Sequence, residues 1–272
     1  MKRLAVVFLL VLATVAPTSA TAVIDGDRTK RYATRIAAHG ERVAGSQNEY
    51  EVATMVRRSL ANLGYAIEWQ RVRLPNGDYS RNVIGRTPGP TRVVVVAHMD
   101  GVHNTVAAND NGSGTAGMIE LARQFEGVPG LLVAALGAEE RHTTGSPYHL
   151  GSLRLVRSLS ATERDGIQLM VSLDMIGVGT TLNVRGIEGS PNRSARKLLR
   201  TAARIGIRAS YLQDSGVSDH AEFTRAGVPG TLLTWRWDSC WHQPCDRPWR
   251  LSAWKLKRAV RLATVATRDI LT

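Results

Sequence analysis

The segment RVVVVAHMDGVHNTVAANDNGSG, residues 92–114, decides the fold of this chain. It begins with a valine-rich run, residues 92–97, which is typical of a strand buried on both faces of a sheet. The run ends at His98, and Asp100 follows two residues later. Asp110 then lies in an Asn/Gly loop that leads into a helix predicted over residues 113–125. A strand, a polar loop and a helix in this order predict one unit of an α/β fold.

The same alternation continues along the chain. Further strands are predicted at residues 66–74, 81–85, 131–136, 167–173 and 230–235. Further helices are predicted at residues 47–63, 146–156, 191–204, 221–226 and 252–271. The chain has 272 residues, of which 43% are hydrophobic, enough to bury a core. No repeat or linker interrupts the pattern, so the sequence predicts a single α/β domain with a mostly parallel central sheet.

Residues 1–22 have the features of a signal peptide. Lys2 and Arg3 precede an apolar run at residues 4–15, and small residues at positions 20–22 match the pattern that a signal peptidase cleaves after. We therefore expect a secreted protein whose folded domain spans residues 23–272, with an uncleaved anchor as the alternative. No later stretch is long and apolar enough to span a bilayer, so we expect no stable membrane association.

The chain is basic, with a formal net charge of +12 that falls to +10 when Lys2 and Arg3 are removed. The charge lies mostly on arginines scattered along the whole chain. A nucleic-acid-binding protein usually shows a basic patch or a known binding module, and neither is present. The composition therefore indicates a solvated basic surface and excludes nucleic acid as a predicted partner.

The two cysteines lie close together in the segment CWHQPCD. In a secreted chain, Cys240 and Cys245 are expected to form a disulfide. Such a short loop constrains the unfolded chain less than a long one does. Its expected effect is therefore local, and it would fix the segment around His242.

Four predicted strands lead into residues that can bind a metal or transfer a proton. In open α/β sheets, sites collect beyond the carboxyl ends of the strands, so these residues should converge. They are His98, the pair Glu139 and Glu140, Asp174 and His242, and they are joined by Asp110 from its loop.

Asp110, Glu139, Glu140 and Asp174 would bring four carboxylates into one pocket. Their mutual repulsion would raise several pKa values unless positive charge lies between them. Two divalent cations would match that charge, and two histidines with three carboxylates form a natural ligand set for zinc. A carboxylate can also bridge the two ions of a two-metal hydrolase. Any one of these residues alone is consistent with a structural role, such as a turn or helix cap at Asp110.

Six short motifs occur in the order found in metallopeptidase family 28, which this chain resembles. They are AHMD at 97–100, ANDNGSG at 108–114, GAEE at 137–140, SLDMIG at 172–177, SDHAEF at 218–223 and WHQPCD at 241–246. Residues 41–65 also resemble the N-terminal helix of that family. The family is typified by secreted bacterial leucine aminopeptidases with two co-catalytic zinc ions. The resemblance implies an eight-stranded mixed sheet with helices on both faces, the zinc-exopeptidase fold, and hydrolysis of peptide bonds.

The resemblance also implies a role for each metal-binding position. His98 and Asp174 would bind one zinc ion, Glu140 and His242 would bind the other, and Asp110 would bridge them. Two Zn²⁺ per chain are therefore the expected cofactor.

Glu139 and Asp100 match the family's catalytic positions outside the metal ligands. Asp100 resembles the carboxylate that orients the ligand histidine and raises its basicity. Glu139 matches the general base, which would take a proton from the attacking water and deliver it to the leaving amine. Adjacent residues at a strand end point in different directions, so Glu140 can bind metal while Glu139 faces the solvent between the ions.

The predicted substrate pocket includes Asp219, His220 and Trp241. Asp219 could cap the short helix that follows it, and His220 is expected to line the pocket rather than bind metal. Trp241 stands where several relatives have a tyrosine. The remaining histidines are interpreted as loop or surface residues, namely His39, His103, His142 and His149.

The sequence thus predicts a monomeric zinc aminopeptidase that acts on the N-termini of peptides or proteins. One alternative is a glutaminyl cyclase, which shares this fold but uses a single zinc ion and forms an intramolecular amide. Another is a non-catalytic binding module, although every ligand position is filled here. Carboxypeptidase polarity is a further alternative, because the residues alone do not fix which chain end is bound.

Overall fold

The computed structural model describes residues 23–141, 145 and 147–272. Within these ranges, eight strands form one sheet. In chain order they are β1 (Ala66–Arg73), β2 (Tyr79–Arg86), β3 (Val93–His98), β4 (Leu131–Leu136), β5 (Leu169–Leu173), β6 (Thr181–Ile187), β7 (Ser210–Asp214) and β8 (Gly230–Arg236). The helices are α1 (Gly26–Ala37), α2 (Gln47–Ala61), α3 (Gly114–Ala122), α4 (Leu150–Ser158), α5 (Ala161–Gly166), α6 (Arg193–Arg204), α7 (His220–Arg225) and α8 (Ala253–Leu271). The predicted signal peptide and His142 lie outside the described residues.

The strands follow the spatial order β1-β2-β4-β3-β5-β8-β6-β7. Four neighbouring pairs are parallel and three are antiparallel, which confirms a mixed, mostly parallel sheet in a single domain. The sequence did not predict α1, α5, β6 or β7. The helix predicted from residue 146 is wrong at its start, because His149 has a φ of +61° and α4 begins only after it. Among the described helices, none is long and apolar enough to cross a membrane.

The central strand β3 shows why the sheet is covered on both faces. Val93, Val95 and Ala97 belong to the larger core, which also contains apolar side chains of α1, α2, α3, α6 and α8. Val94 and Val96 point the other way into a second core, which includes side chains of α4 and α7. Alternate residues of a strand face opposite sides of its sheet, so an unbroken valine run buries both.

The sheet register aligns the carboxyl ends of the strands that carry the candidate site. His98 at the end of β3 pairs with Leu136 at the end of β4, and the parallel strand β5 lies on the other side of β3. The main-chain N–H of Asp174, just after β5, donates to the carbonyl of Leu233 in β8 at 3.2 Å. Residues that follow these strands therefore meet at one edge of the sheet, as predicted.

Arg42, on the segment between α1 and α2, is fully buried. Its Nε donates to the carbonyl of Met99 at 2.9 Å, Nη1 to that of Val106 at 2.6 Å, and Nη2 to that of Ala107 at 2.9 Å. Burial lowers the pKa of Arg42 to about 10, so the guanidinium remains charged at neutral pH. The side chain therefore holds both ends of the loop that joins β3 to the Asp110 segment.

Arg42→Met would replace the guanidinium with an apolar side chain and leave three carbonyl oxygens, two of them in buried hydrogen bonds, without these donors. An unsatisfied buried acceptor costs about 1–3 kcal/mol, so we expect the free energy of unfolding to fall by about 3 kcal/mol or more. Urea denaturation measures this change. The control Arg57→Met, on the exposed side of α2, should change stability by less than about 0.5 kcal/mol. Equal losses in the two variants would contradict the role assigned to Arg42.

Glu49, in the first turn of α2, is also fully buried. One carboxylate oxygen accepts the main-chain N–H of Gly45 at 2.7 Å, and the other pairs with the hydroxyl of Ser80 in β2. Burial raises the pKa of Glu49 from 4.5 to about 8. The folded protein therefore retains this proton at pH values where the unfolded chain has lost it.

Because the folded-state pKa of Glu49 is raised, its contribution to stability is largest below about pH 4.5 and declines as the pH rises towards about 8. Glu49→Gln keeps a neutral polar side chain but removes the titration. The stability of this variant relative to wild type should therefore improve across that pH range in urea denaturation. The exposed Glu68→Gln serves as the control. A difference that stays constant with pH would show that Glu49 does not titrate there.

Candidate metal centre

Six chemically active side chains meet at the carboxyl edge of the sheet. They can be grouped into three sets whose candidate ligand atoms all lie within 4.8 Å of one another. The sets are His98, Asp110 and Asp174; Asp110, Glu140 and His242; and His98, Glu139 and Glu140. The residues predicted to converge are therefore brought together.

Asp110 lies between the two histidines and offers a different oxygen to each. Its Oδ1 is 3.3 Å from Nε2 of His98, and its Oδ2 is 3.3 Å from Nε2 of His242. On the first side, Oδ1 of Asp174 is 3.6 Å from the same nitrogen of His98. On the second, Oε1 of Glu140 is 2.8 Å from Nε2 of His242. The cluster thus divides into two halves that share one carboxylate.

Neighbouring polar side chains hold the Asp110 loop in place. Asp246 accepts the main-chain N–H of Asn109 at 2.8 Å and that of Asp110 at 3.0 Å. Asn111 donates from Nδ2 to the carbonyl of Leu173 at 2.8 Å, which ties the loop to the end of β5. These contacts place Asp110 beside Asp174, the residue that follows β5. The position of Asp110 is therefore set by hydrogen bonds to its loop rather than by helix α3.

A close approach between α3 and β5 reinforces this arrangement. Gly114 opens α3, and a Cβ at this position would collide with the carbonyl oxygen of Leu173 and with the side chain of Asn111. The second glycine of the ANDNGSG segment is therefore required by packing. The main-chain N–H of Gly114 also donates to Oδ1 of Asn111 at 2.8 Å.

Asp100 is fully buried beside the cluster. Its Oδ1 accepts the main-chain N–H of Glu139 at 3.2 Å, and its Oδ2 accepts that of Glu140 at 3.1 Å. Its Oδ1 is 3.6 Å from Nδ1 of His98, which is longer than a normal hydrogen bond. Asp100 therefore contacts the histidine as expected, but its hydrogen bonds orient the two glutamates.

Burial and charge shape the ionisation of the cluster. Burial raises the pKa of Glu139 to about 8 and that of Glu140 to about 7. Burial would also raise the pKa of Asp110, but hydrogen bonds from His242 and His98 hold it below its usual range. Burial likewise opposes the charged form of His242, yet its bonds to Asp110 and Glu140 raise its pKa to about 10. Carboxylates in such a site favour nearby positive charge.

His242 is held by the short covalent loop that the sequence predicted. Cys240 and Cys245 form a disulfide with a Cα–Cα distance of 5.4 Å, which confirms their pairing. The Trp241 ring packs on the imidazole of His242 at a centroid distance of 4.4 Å. The loop therefore presents this histidine to the cluster from the segment that follows β8.

A cavity of about 280 Å³ opens onto the cluster, and Trp241 lines it. Asp219 and His220 are fully buried and are not among its described lining residues. Asp219 precedes α7 but makes no side-chain cap there, and Nε2 of His220 is 3.3 Å from Oδ1 of Asp214. Both residues are therefore buried by the packing around α7 and do not reach the cavity surface.

The sequence interpretation missed His149, which it assigned to a loop or the surface. This histidine is buried and lines the cavity, and its Nε2 is 3.3 Å from Oε1 of Glu139. Burial alone would lower the pKa of His149, but its contacts with Glu139 and Glu222 raise it to about 10. No periodicity or motif marks this residue, and its place beside the cluster depends on main-chain hydrogen bonds from residues 149 and 150 to residues 139 and 138.

The fold and this cluster define the class of α/β metallopeptidases. The profile of Peptidase family M28 matches residues 82–267, well over half of the chain, and the chain belongs to this family.

Curated relatives agree with this assignment. Aminopeptidase YwaD of Bacillus subtilis is 32% identical over 208 residues, which cover 70% of this chain and 44% of the relative. Leupeptin-inactivating enzyme 1 of Streptomyces exfoliatus is 28% identical over 201 residues, covering 63% of this chain and 44% of that protein. The chain thus spans less than half the length of these relatives.

Solved structures share the fold. The zinc aminopeptidase BSAP of Bacillus subtilis superposes with a TM-score of 0.82 at 20% identity, covering 90% of this chain and 95% of that one. A glutaminyl cyclase of Bacteroides thetaiotaomicron gives a TM-score of 0.76 at 18% identity, covering 92% and 98%. Since both kinds of enzyme have this architecture, the fold alone does not separate them.

Proposed function

We propose that this protein is an exported metallo-aminopeptidase that acts as a monomer and releases N-terminal residues from peptides. Its cofactor would be two zinc ions. His98 and Asp174 would hold one ion, Glu140 and His242 would hold the other, and Asp110 would bridge them.

The position of Asp110 between the two halves of the cluster carries this proposal. Each half then has one histidine, one carboxylate of its own and one oxygen of the shared Asp110 carboxylate. Imidazole nitrogens and carboxylate oxygens are ligands that suit zinc. Oδ1 of Asp174 is buried and has no hydrogen-bond partner among the described residues. A cation at this place would satisfy that atom.

Glu139 is the group that would move the proton. Its Oε2 lies 3.9 Å from Nε2 of His98, so this oxygen faces the interior of the cluster. It would accept a proton from the attacking water and return it to the leaving amine. Zinc held by the neighbouring residues would supply Lewis-acid polarisation of the scissile carbonyl and of the water.

Two adjoining cavities offer room for the end of a peptide. The cavity over the cluster meets a second one of about 260 Å³, and both are lined by Asp174, Val217 and Trp241. The carboxylates beside the first cavity would hold the free α-ammonium group. The second cavity, walled by Trp235 and Trp237 among others, would receive an apolar side chain of the N-terminal residue.

Export is supported by two features of the chain. Residues 1–22 have the charge and apolar pattern of a signal peptide. The disulfide between Cys240 and Cys245 is of a kind that persists in oxidising compartments.

The test of this function measures metal content per chain together with the products formed from matched peptides. We expect two zinc ions, release of the first residue from an unblocked peptide, and no release from the same peptide with an acetylated N-terminus. Amidation of the C-terminus should have little effect; loss of activity on amidation would instead indicate a carboxypeptidase. One zinc ion with a pyroglutamyl product would identify a glutaminyl cyclase, and a stable metal-free protein without turnover would indicate a binding module.

His242→Ala should weaken one metal site selectively, since His98, Asp110 and Asp174 remain to hold the other ion. Calorimetric titration of the metal-free protein with zinc checks this, and it should show one site retained and one weakened. His103→Ala, at an exposed histidine that pairs with Glu41, is the control and should keep both sites. Equal weakening of the two sites in His242→Ala would contradict the division of the cluster.

Glu139→Ala should keep both metal ions but lose about 10²- to 10⁴-fold in turnover, because it removes the general base. Steady-state kinetics on an unblocked peptide, with metal content measured on the same sample, gives the result. The exposed Glu126→Ala should match wild type. Normal turnover in a metal-replete Glu139→Ala protein would refute the role of this residue.

A further inference from the structure

His149 is a buried histidine that the proposed mechanism does not use. It is 6% exposed, immediately precedes α4 and lines the cavity over the cluster. Its φ of +61° lies in the left-handed region, which is uncommon for residues other than glycine. A polar ring held in this conformation against a candidate site suggests a role in that site.

The imidazole of His149 lies between two glutamates. Its Nε2 is 3.3 Å from Oε1 of Glu139, and its Nδ1 is 3.8 Å from Oε1 of Glu222. Glu222 is paired in turn with Arg225. Only the contact to Glu139 is near hydrogen-bond length, so the Nε2–H group is the one that donates to this carboxylate.

The main chain holds the same two residues together. The N–H of His149 donates to the carbonyl of Glu139 at 2.8 Å, and the N–H of Leu150 donates to the carbonyl of Ala138 at 2.8 Å. The distance between the ring and the carboxylate is therefore set by the backbone as well as by the side chains. Such a pair has little freedom to separate.

The two oxygens of Glu139 face different partners. Oε1 faces His149, whereas Oε2 is 3.9 Å from Nε2 of His98, the nitrogen that also faces Asp110. A carboxylate engaged at one oxygen loses the freedom to rotate about its last bond. The contact with His149 therefore determines which oxygen is turned towards the cluster.

We infer that His149 is a positioning residue for Glu139. By donating from Nε2 to Oε1, it fixes the carboxylate so that Oε2 faces the place where the proton is transferred. This inference rests on the proposed function, in which Glu139 is the general base. His149 acts through Glu139 and needs no contact with the metal ions or with the reacting atoms.

The test replaces the donor in the zinc-loaded full-length protein and compares kcat with KM on one unblocked peptide. His149→Leu removes the donor, and kcat should fall about 10- to 100-fold, as is typical when a group that orients an active residue is lost. KM and zinc content should stay near the wild-type values. His149→Gln carries an amide N–H on a side chain of similar reach, so it should recover most of the lost kcat.

The matched control is His103→Leu. This histidine also pairs with a glutamate, at 3.5 Å from Glu41, but its side chain is 72% exposed and lies outside the cavity. It should match wild type in kcat and KM. If His149→Leu fails to fold, His149→Asn provides the same test, because its shorter amide stops before Oε1 while remaining polar. His149→Asn should lose as much kcat as the leucine variant.

Four results would overturn the inference. These are an unchanged kcat in His149→Leu, a raised KM with normal kcat, loss of zinc from the variant, or equal losses in the leucine and glutamine variants. In all four cases wild type remains active on the peptide, so the proposed function survives. A zinc-loaded wild-type protein that releases no amino acid would instead defeat the proposed function and this inference together.

Discussion

The structure depends on the burial of four carboxylates at one edge of the sheet. Asp110, Glu139, Glu140 and Asp174 each have no more than 9% of their surface exposed. Like charges at such short range, with little water to screen them, repel strongly. The two histidines offset part of this negative charge. Hydrogen bonds from surrounding residues hold the carboxylates in place against the remaining repulsion. A site of this composition is suited to binding cations. Bound cations would account for the close approach of four buried carboxylates.

The carboxylates are held in place by polar and charged side chains that lie one layer further out. Arg42 holds the loop that leads to Asp110, Asn111 ties that loop to β5, and Asp246 binds its main-chain N–H groups. Asp100 does the same for the main chain of the two glutamates. None of these contacts involves a substrate. These hydrogen bonds attach the loops to the sheet and so fix the positions of side chains that would otherwise move apart.

Much of this could be predicted from the sequence because it follows from strand geometry. Two parallel strands, the valine run that ends at His98 and the strand that leads to Asp174, end at the same edge of the sheet. This holds for any conformation of the loops. Strands β6 and β7 were missed because their burial is set by neighbouring elements rather than by a continuous apolar run. His149 was missed for a related reason: its position depends on main-chain contacts with the Glu139 segment, which have no periodic pattern in the sequence. Asp219 and His220 were placed at the pocket by motif, but packing under α7 buries them.

The disulfide has a consequence beyond fixing one imidazole. The ring closed by Cys240 and Cys245 contains His242, and Asp246 is the next residue along the chain. A single sulfur–sulfur bond thus restrains both a side chain that faces the centre and the carboxylate that clamps the backbone of Asp110. A thiol reductant would slacken both restraints at once without cutting the chain. The organisation of the centre is therefore linked to the oxidation state of these two cysteines.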